Sequence, residues 1–101
     1  QFQELDLRIG TIQSVEEHPN ADELYLLTIV IGDEEKQSCA GLVGHYDPDE
    51  LEGRRVVVLN NLETSEIRGE ESQCMVLAAD DGDAVVLLEP EDVIEEGAEV
   101  R

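Results

Sequence analysis

Residues 5–15 have the sequence LDLRIGTIQSV, in which apolar and polar side chains alternate along almost the whole stretch. Successive side chains of a β-strand point to opposite faces, so a period of two is typical of a strand with one buried face. The stretch therefore predicts a long, half-buried first strand. The backbone donors and acceptors of such a strand need partners, which the following segments must supply.

The next segments predict two more strands. Residues 18–22, HPNAD, are turn formers, because proline lacks an amide donor and the Asn and Asp side chains bond their own backbone. A second strand is predicted over residues 24–31, a hairpin connection over residues 32–35 and a third strand over residues 36–40. The first three strands thus form a meander.

A short helix is predicted over residues 47–53. Asp47 is a capping residue, Pro48 takes the first helical position, acidic residues fill the first turn and Gly53 closes the helix. Residues 55–59, RVVVL, are a β-branched run short enough for a buried strand.

Two further strands, over residues 74–79 and 84–88, flank the sequence DDGD at residues 80–83. A calcium-binding EF-hand loop needs ligands at alternate positions and flanking helices, whereas Asp-Gly between strands is a standard tight turn. We therefore expect a hairpin here. Residues 89–99 are so acidic that we expect a loosely packed terminus.

The order of these elements is that of an OB-fold. We predict an all-β protein, a five-stranded OB-fold Greek-key barrel with one short helix and a β-rich C-terminal extension, in a single domain spanning residues 1–101. A chain of this length can bury a core without metals or disulfides. Aromatic residues make up 3% of the sequence, so the core must be aliphatic.

The chain has 26 acidic residues against six basic ones, a net charge of −20. The acids lie between regular apolar strands, which indicates a charged folded surface and not a disordered tail. Such enrichment is typical of salt-accumulating cells, where molar salt shortens the Debye length to ~3 Å. We expect a halophilic cytoplasm; the alternative is an acidic mesophilic protein. The absence of any apolar run near ~20 residues, and of a secretion signal, favours a soluble chain.

The residues that most often carry chemistry suggest no active site. Cys39 and Cys74 lie far apart without a CxxC pair, so we expect small buried side chains, with a disulfide between them left open. His18 and His45 lie at turns and are expected to be structural or surface residues. The common local catalytic motifs are absent, so we expect a non-catalytic domain without metal or cofactor.

Four blocks of sequence carry a family resemblance. They are DLRIG at residues 6–10, HPNADELY at residues 18–25, AGLVGHY at residues 40–46, and NL at residues 61–62 together with IRGEESQCM at residues 67–75. In this order they resemble the tRNA-binding domain family, which includes the C-terminal domain of methionyl-tRNA synthetase and free-standing structure-specific tRNA-binding proteins. The resemblance covers nearly the whole chain.

The resemblance implies an OB-fold that holds the outer corner of tRNA by shape and raises the affinity of a synthetase for its substrate, without performing chemistry. It implies a homodimer formed through the C-terminal extension. Carried over position by position, it implies phosphate contacts for Arg68 and Lys36, hydrogen bonds for Asn61 and Ser72, and packing against sugar or base for Met75.

Each of these residues also has an ordinary structural explanation. Asn61 could accept the positive φ of a turn, Ser72 could bond local backbone, and Met75 could belong to the core. Arg68 and Lys36 could be solvated surface charges.

The sequence departs from the family pattern where relatives usually carry lysines. Glu23, Glu63 and Glu66 take these positions, and Cys74 replaces a common glycine. Phosphate binding normally draws on counterion release, which molar salt suppresses. A halophilic domain would have to use hydrogen bonds, stacking, shape and bridging cations, and its binding would survive rising KCl. The alternative function is a chaperone-like or protein-assembly OB-fold dimer, favoured by the scarcity of bases.

Overall fold

The computed structural model describes residues 4–101, which form a nearly closed β-barrel with one short helix. In the described residues the elements are β1 (Leu7–Glu17), β2 (Tyr25–Ile31), β3 (Glu34–Ala40), α1 (Pro48–Leu51), β4 (Arg55–Leu59), β5 (Ser65–Ile67), β6 (Glu70–Ser72), β7 (Met75–Val76), β8 (Ala78–Asp80), β9 (Val85–Leu87) and β10 (Glu99–Val100). The predicted fold class, an all-β OB-fold barrel with a short helix, is confirmed.

Strand β1 pairs on both of its edges. The main sheet has the order β3-β2-β1-β4-β7, with β10 also paired to β1. The first half of β1 lies antiparallel to β4, with Leu7 opposite Leu59, and its second half lies antiparallel to β2 as far as Glu17. The register shifts between Ile12 and Ser14. An irregularity of this kind bends a strand, which lets β1 turn from one side of the barrel to the other.

The core is mostly aliphatic, as predicted, but it also contains the buried ring of Tyr25. Along β2 every second side chain is buried, and Leu27 and Ile29 are fully inaccessible to solvent. Val56 and Val58 of β4 face the same interior. Fully burying one such side chain stabilises a fold by roughly 1.5–3 kcal/mol. The alternation seen in the sequence is therefore the burial pattern of the barrel wall.

Side chains complete the barrel between β3 and the segment that leads into β7. The Gln73 amide donates to the Gln37 carbonyl at 2.7 Å, and the Gln37 amide donates to Gln73 Oε1 at 2.9 Å. The Cys39 amide donates to Ser72 Oγ at 3.1 Å. At this seam the side-chain oxygens of Gln73 and Ser72 act where a regular ladder would supply carbonyls, so backbone donors of β3 stay satisfied.

The C-terminal residues are more firmly attached than predicted. The Gly97 amide donates to the Ile9 carbonyl at 2.6 Å, the Ile9 amide donates to the Ala98 carbonyl at 2.9 Å, and β10 pairs with β1. The backbone of Gly97 also lies against Gly32 in the β2–β3 turn, where an added Cβ would come within 3.0 Å of Gly32 Cα. The expectation of a loosely packed terminus over residues 89–99 was therefore wrong for residues 97–99, because charge in the sequence does not report backbone pairing.

The strand predicted over residues 74–79 is divided in two, because β7 pairs with β4 and β8 pairs with β9 in a separate sheet. The other boundaries shift modestly. The helix is shorter than residues 47–53, and the turn between β2 and β3 consists of residues 32–33. The hairpin formed by β5 and β6 was not predicted, because its strands have three residues each and no apolar alternation.

The acidic turn at residues 80–83 binds its own backbone. Asp81 Oδ1 accepts the amides of Asp83 and Ala84, each at 2.9 Å, and Asp80 Oδ1 accepts the Gly82 amide at 2.9 Å. The two amides lower the pKa of Asp81 below its ordinary value of 3.8. The predicted hairpin turn is confirmed, with β8 and β9 on either side.

The two cysteines are free thiols. Cys74 is fully buried, and this burial raises its pKa to about 11, while Cys39 is half-buried. The prediction of a small buried side chain thus holds for Cys74 and only in part for Cys39. In the described residues no helix is long and apolar enough to cross a membrane.

Gly10 is the position where β1 can least accept a side chain. A Cβ there would lie 2.6 Å from Ile29 Cγ2 and 3.0 Å from Val58 Cγ2, both within the packed core. We expect Gly10→Ala to lower the free energy of unfolding by about 1–3 kcal/mol through overpacking. The measurement is equilibrium urea unfolding. Gly41→Ala is the matched control, because its Cβ would meet nothing closer than 3.9 Å; equal effects of the two substitutions would contradict the prediction.

Candidate nucleic-acid interface

Two connecting segments lie side by side at one end of the barrel. They are the 18–24 loop, between β1 and β2, and the 65–72 hairpin, formed by β5, its turn and β6. The ring of His18 bonds the Ile67 carbonyl at 2.9 Å, and Asn20 Nδ2 donates to the Arg68 carbonyl at 2.9 Å. In OB-folds these two connections border the face that binds oligonucleotides or oligosaccharides. The structure therefore joins the two loops that define a candidate interface.

Arg68 lies exposed at the tip of the 65–72 hairpin. Its φ is 54°, and Gly69 after it has a φ of 91°. Two successive residues with positive φ make a tight hairpin turn whose first position usually carries Asn, Asp or Gly. Arg68 Nη1 donates to the Asn20 carbonyl at 3.3 Å. Arg68 is the one basic residue in the sequence of the two segments, so any cationic contact from them comes from this side chain.

Met75 is also exposed, with 46% of its surface accessible. It does not belong to the core, so that structural explanation was wrong. It lines a shallow depression of ≈ 260 Å³ between β3 and the β7–β8 region. The lining residues are Cys39, Ala40, Gly41, Leu42, Met75, Val76, Ala78 and Val85. The depression is mostly apolar and can accept a flat or aliphatic group.

Ser72 points inward. Its hydroxyl accepts the Cys39 amide and donates to the Cys74 carbonyl at 3.3 Å, and 4% of the residue is accessible. The structural explanation given for Ser72, a hydrogen bond to local backbone, is therefore confirmed. The hydrogen bond to tRNA that the resemblance implies for Ser72 stays a prediction.

Lys36 and Asn61 hold the chain together near the beginning of β1. Lys36 Nζ donates to the Asn60 carbonyl at 2.9 Å, which joins β3 to the chain just after β4. Asn61 Oδ1 accepts the Asp6 amide at 3.0 Å, and Asn61 Nδ2 donates to the Glu4 carbonyl at 2.9 Å. Asn61 does not have a positive φ, so that explanation was wrong.

The five predicted residues therefore do not form one cluster of free side chains. Arg68 contacts the loop that leaves the end of β1, whereas Asn61 contacts residues just before its beginning. Arg68, Met75 and Asn61 are exposed. The polar groups of Lys36, Asn61 and Ser72 bond the chain itself, and Arg68 makes one such bond through Nη1. The predicted roles of these residues in binding stay predictions.

Residues that sequence reasoning treated as turn formers prove to organise the interface. His18 is 5% accessible and Asn20 is exposed, and both bond carbonyls of the 65–72 hairpin. The prediction of a structural histidine holds for His18, and His45 is an exposed residue. The signal available in the sequence was that HPN and IRG occur in two of the four matching blocks.

The surroundings of the interface are acidic. Glu23, Glu63 and Glu66, which stand where the family usually has lysines, are all exposed. In the part of the chain that the structure describes, no group of three or more His, Cys, Asp or Glu side chains is arranged to hold a metal ion. An anionic ligand therefore meets a negative surface in which Arg68 is the local exception.

Both carboxylate oxygens of Asp6, just before β1, accept hydrogen bonds from side chains. Asn60 Nδ2 donates to Asp6 Oδ2 at 3.1 Å, and Arg8 Nε lies 2.7 Å from Asp6 Oδ1. The hydrogen bond from Asn60, and then the bond and charge of Arg8, lower the pKa of Asp6 below 3.8, although partial burial opposes them.

The barrel and its joined loops define an OB-like fold. Residues 7–99 match the model of a family described as putative tRNA binding domain, and the chain belongs to this family. It is related both to methionine–tRNA ligases and to chaperones named CsaA.

The sequence relatives are long proteins of which the chain matches a small part. It is 50% identical over 101 residues to the methionine–tRNA ligase of Thermococcus kodakarensis and 50% identical over 101 residues to that of Pyrococcus furiosus. In each case the match covers 100% of this chain and 14% of the ligase.

The solved structures are similar over nearly the whole chain. A protein related to methionyl-tRNA synthetase from Pyrococcus horikoshii has a TM-score of 0.92 and 28% identity, covering 99% of this chain and 93% of that one. The chaperone CsaA from Bacillus anthracis has a TM-score of 0.89 and 33% identity, covering 99% and 93%.

Asp6 should titrate below 3.8, and Asn60→Ala should raise its pKa toward that value by removing the first of its hydrogen bonds. Because the folded-state pKa is depressed, the stabilisation from this group is present above pH 3.8 and is lost as the pH falls through the folded value. The measurement is a carboxyl NMR titration of both proteins. Asp81, in a distant turn, is the internal control; an Asp6 pKa at or above 3.8 in the wild type would falsify the assignment.

Proposed function

We propose that this chain is a non-catalytic tRNA-binding module that holds the outer corner of tRNA by shape. In this proposal it assists aminoacylation as part of, or as partner to, a methionyl-tRNA synthetase. The observation that carries the proposal is the joined pair of loops with exposed Arg68 at their junction. Membership of the family and the identity to segments of methionine–tRNA ligases support it.

The exposed groups suit recognition of a folded RNA by its shape better than recognition of a particular base sequence. Arg68 offers a guanidinium, which suits bidentate phosphate contacts, and the depression beside Met75 offers apolar surface for a sugar or an unstacked base. Phosphate contacts position a protein on a nucleic acid without reading its sequence. Recognition would then depend on the shape of the tRNA.

The charge sets the conditions under which such binding operates. A net charge of −20 repels tRNA in dilute salt, because the charges act over a Debye length of ~10 Å at 0.1 M. Molar salt screens this repulsion and also removes most of the counterion-release drive. The proposal therefore includes a halophilic cytoplasm, with cations bridging carboxylates and phosphates.

A binding titration with unfractionated tRNA tests this function at ~0.1 M and ~2 M KCl, which bracket strong and suppressed electrostatics. We expect binding to survive or improve at the higher concentration. Arg68→Ala should weaken it about three- to tenfold where the wild type binds best, since one phosphate contact is lost. Fluorescence anisotropy of labelled tRNA is the measurement.

Arg101→Ala is the matched control for charge. Arg101 follows β10, which pairs with the beginning of β1, whereas Arg68 lies beyond the other end of β1. The two variants lose the same charge, so a specific contact predicts a larger effect for Arg68→Ala. An absence of tRNA binding at both salt concentrations would overturn the function, and affinity that falls steadily with KCl would overturn the halophilic part.

The proposal also includes a homodimer formed through the C-terminal extension. Several large apolar side chains are exposed there: Val86 at 52%, Leu88 at 41%, Val93 at 90% and Ile94 at 45%. These four side chains lie within nine residues of the sequence, and a contiguous apolar patch is typical of an interaction surface. A second copy of the chain would cover them.

Burying an apolar side chain such as that of Val93 stabilises an interface by roughly 1.5–3 kcal/mol. Val93→Asp replaces it with a charge, so we expect dimerisation to weaken at least about tenfold. Sedimentation equilibrium at ~2 M KCl, where repulsion is screened, measures the association. Leu5→Asp is the control, since Leu5 is 48% exposed and lies outside the extension. A wild type that sediments as a monomer at all concentrations would contradict the dimer.

A second candidate function is the binding of unfolded polypeptide. It is favoured by the similarity to CsaA chaperones and by the apolar depression beside Met75. Suppression of aggregation of a denatured test protein, together with no tRNA binding at either salt concentration, would favour this candidate.

A further inference from the structure

We infer that His18 and Asn20 are positioning residues that set the direction of the Arg68 side chain for contact with nucleic acid. The inference rests on the proposed function, in which Arg68 contacts the nucleic acid, and it concerns how the Arg68 side chain is held. The observation behind it is that the 18–24 loop captures the carbonyls on both sides of the Arg68 α-carbon.

The first captured carbonyl belongs to Ile67. The Asn20 amide donates to His18 Nδ1 at 2.9 Å, so this ring nitrogen is the acceptor and Nε2 carries the proton. Nε2 therefore donates to the Ile67 carbonyl at 2.9 Å. Since His18 is 5% accessible, its ring is held by the barrel and presents a fixed donor to the hairpin.

The second captured carbonyl belongs to Arg68 itself. Asn20 Nδ2 donates to it at 2.9 Å, and the Asn20 carbonyl in turn accepts Arg68 Nη1 at 3.3 Å. Peptide groups are planar, so fixing a carbonyl fixes the orientation of its whole peptide plane. With the planes before and after Arg68 both fixed, the φ and ψ of Arg68 and the direction of its Cα–Cβ bond are fixed as well.

The conformation that results is an uncommon one for arginine. Few residues other than Gly, Asn and Asp adopt a φ near 54°. Residues held in such regions persist when the surrounding structure determines them, and they occur often at binding sites. The two-residue turn of the 65–72 hairpin requires this φ, and the two bonds between Asn20 and Arg68 help to hold the turn in place.

The geometry makes Asn20 the sharper residue to test. Its side chain is exposed, so Asn20→Ala removes the bond to the Arg68 carbonyl while leaving the barrel core unchanged. Gln13→Ala is the matched control, because it also removes an exposed side-chain amide, but from β1 and not from the 18–24 loop. The proteins needed are the wild type, Asn20→Ala, Arg68→Ala, the double variant and Gln13→Ala.

The experiment is a double-mutant cycle of tRNA binding at the KCl concentration where the wild type binds best. We expect Asn20→Ala to weaken binding at least about threefold in the wild type but less than about twofold in the Arg68→Ala background, since coupled residues are not additive. Gln13→Ala should leave binding within about twofold of the wild type. Equal effects of Asn20→Ala in both backgrounds, or no effect in either, would overturn the inference.

A second measurement separates this inference from the proposed function. The amide and α protons of one residue lie unusually close together at positive φ, so a strong NOE between these protons of Arg68 reports its φ by NMR without tRNA. We expect this strong NOE in the wild type and in Gln13→Ala, and a weaker one in Asn20→Ala, in which fewer bonds hold the turn. An unchanged NOE in Asn20→Ala overturns the positioning role; a weakened NOE in a protein whose wild type binds no tRNA overturns the proposed function and leaves the positioning role standing.

Discussion

The two-sided pairing of β1 determines where the other strands of the main sheet lie. Its first half pairs with β4 and its second half with β2, and the bend after Ile12 connects the two halves. Gly10 lies where side chains from both neighbouring strands converge, and a Cβ at this position would collide with them. The C-terminal residues then pair with the beginning of β1, so that β2, β4 and β10 all pair with this one strand.

The candidate interface depends on the same strand. The 18–24 loop begins at the end of β1, and the seam at Ser72 and Gln73 fixes the base of the 65–72 hairpin to β3. The two segments meet through hydrogen bonds to main-chain carbonyls. Such bonds depend on the position of the backbone more than on the identity of the hairpin side chains, so the hairpin can present an arginine at its tip.

The charge distribution limits how the interface can work. Most of the six basic side chains hydrogen-bond to the chain itself; for example, Arg54 bonds Glu89 and lies over the ring of Tyr46, and Arg55 bonds the Ile94 carbonyl. These contacts hold the C-terminal segment against β4 and its preceding turn. The positive charge available for a ligand is therefore small, and a nucleic-acid partner must be held mainly by shape, hydrogen bonds and screened contacts.

Most of the barrel strands, the short helix, the turn at residues 80–83 and the mostly aliphatic core could be predicted from the sequence, because periodicity and turn chemistry are local properties. The sequence also identified the blocks that carry the family. Three features became visible only in the folded protein: residues 97–100 pair with β1, Ser72 and Lys36 bond the chain, and the 18–24 loop holds the hairpin of Arg68. Those features join residues up to about ninety positions apart, and no local pattern specifies which distant carbonyl a side chain will meet.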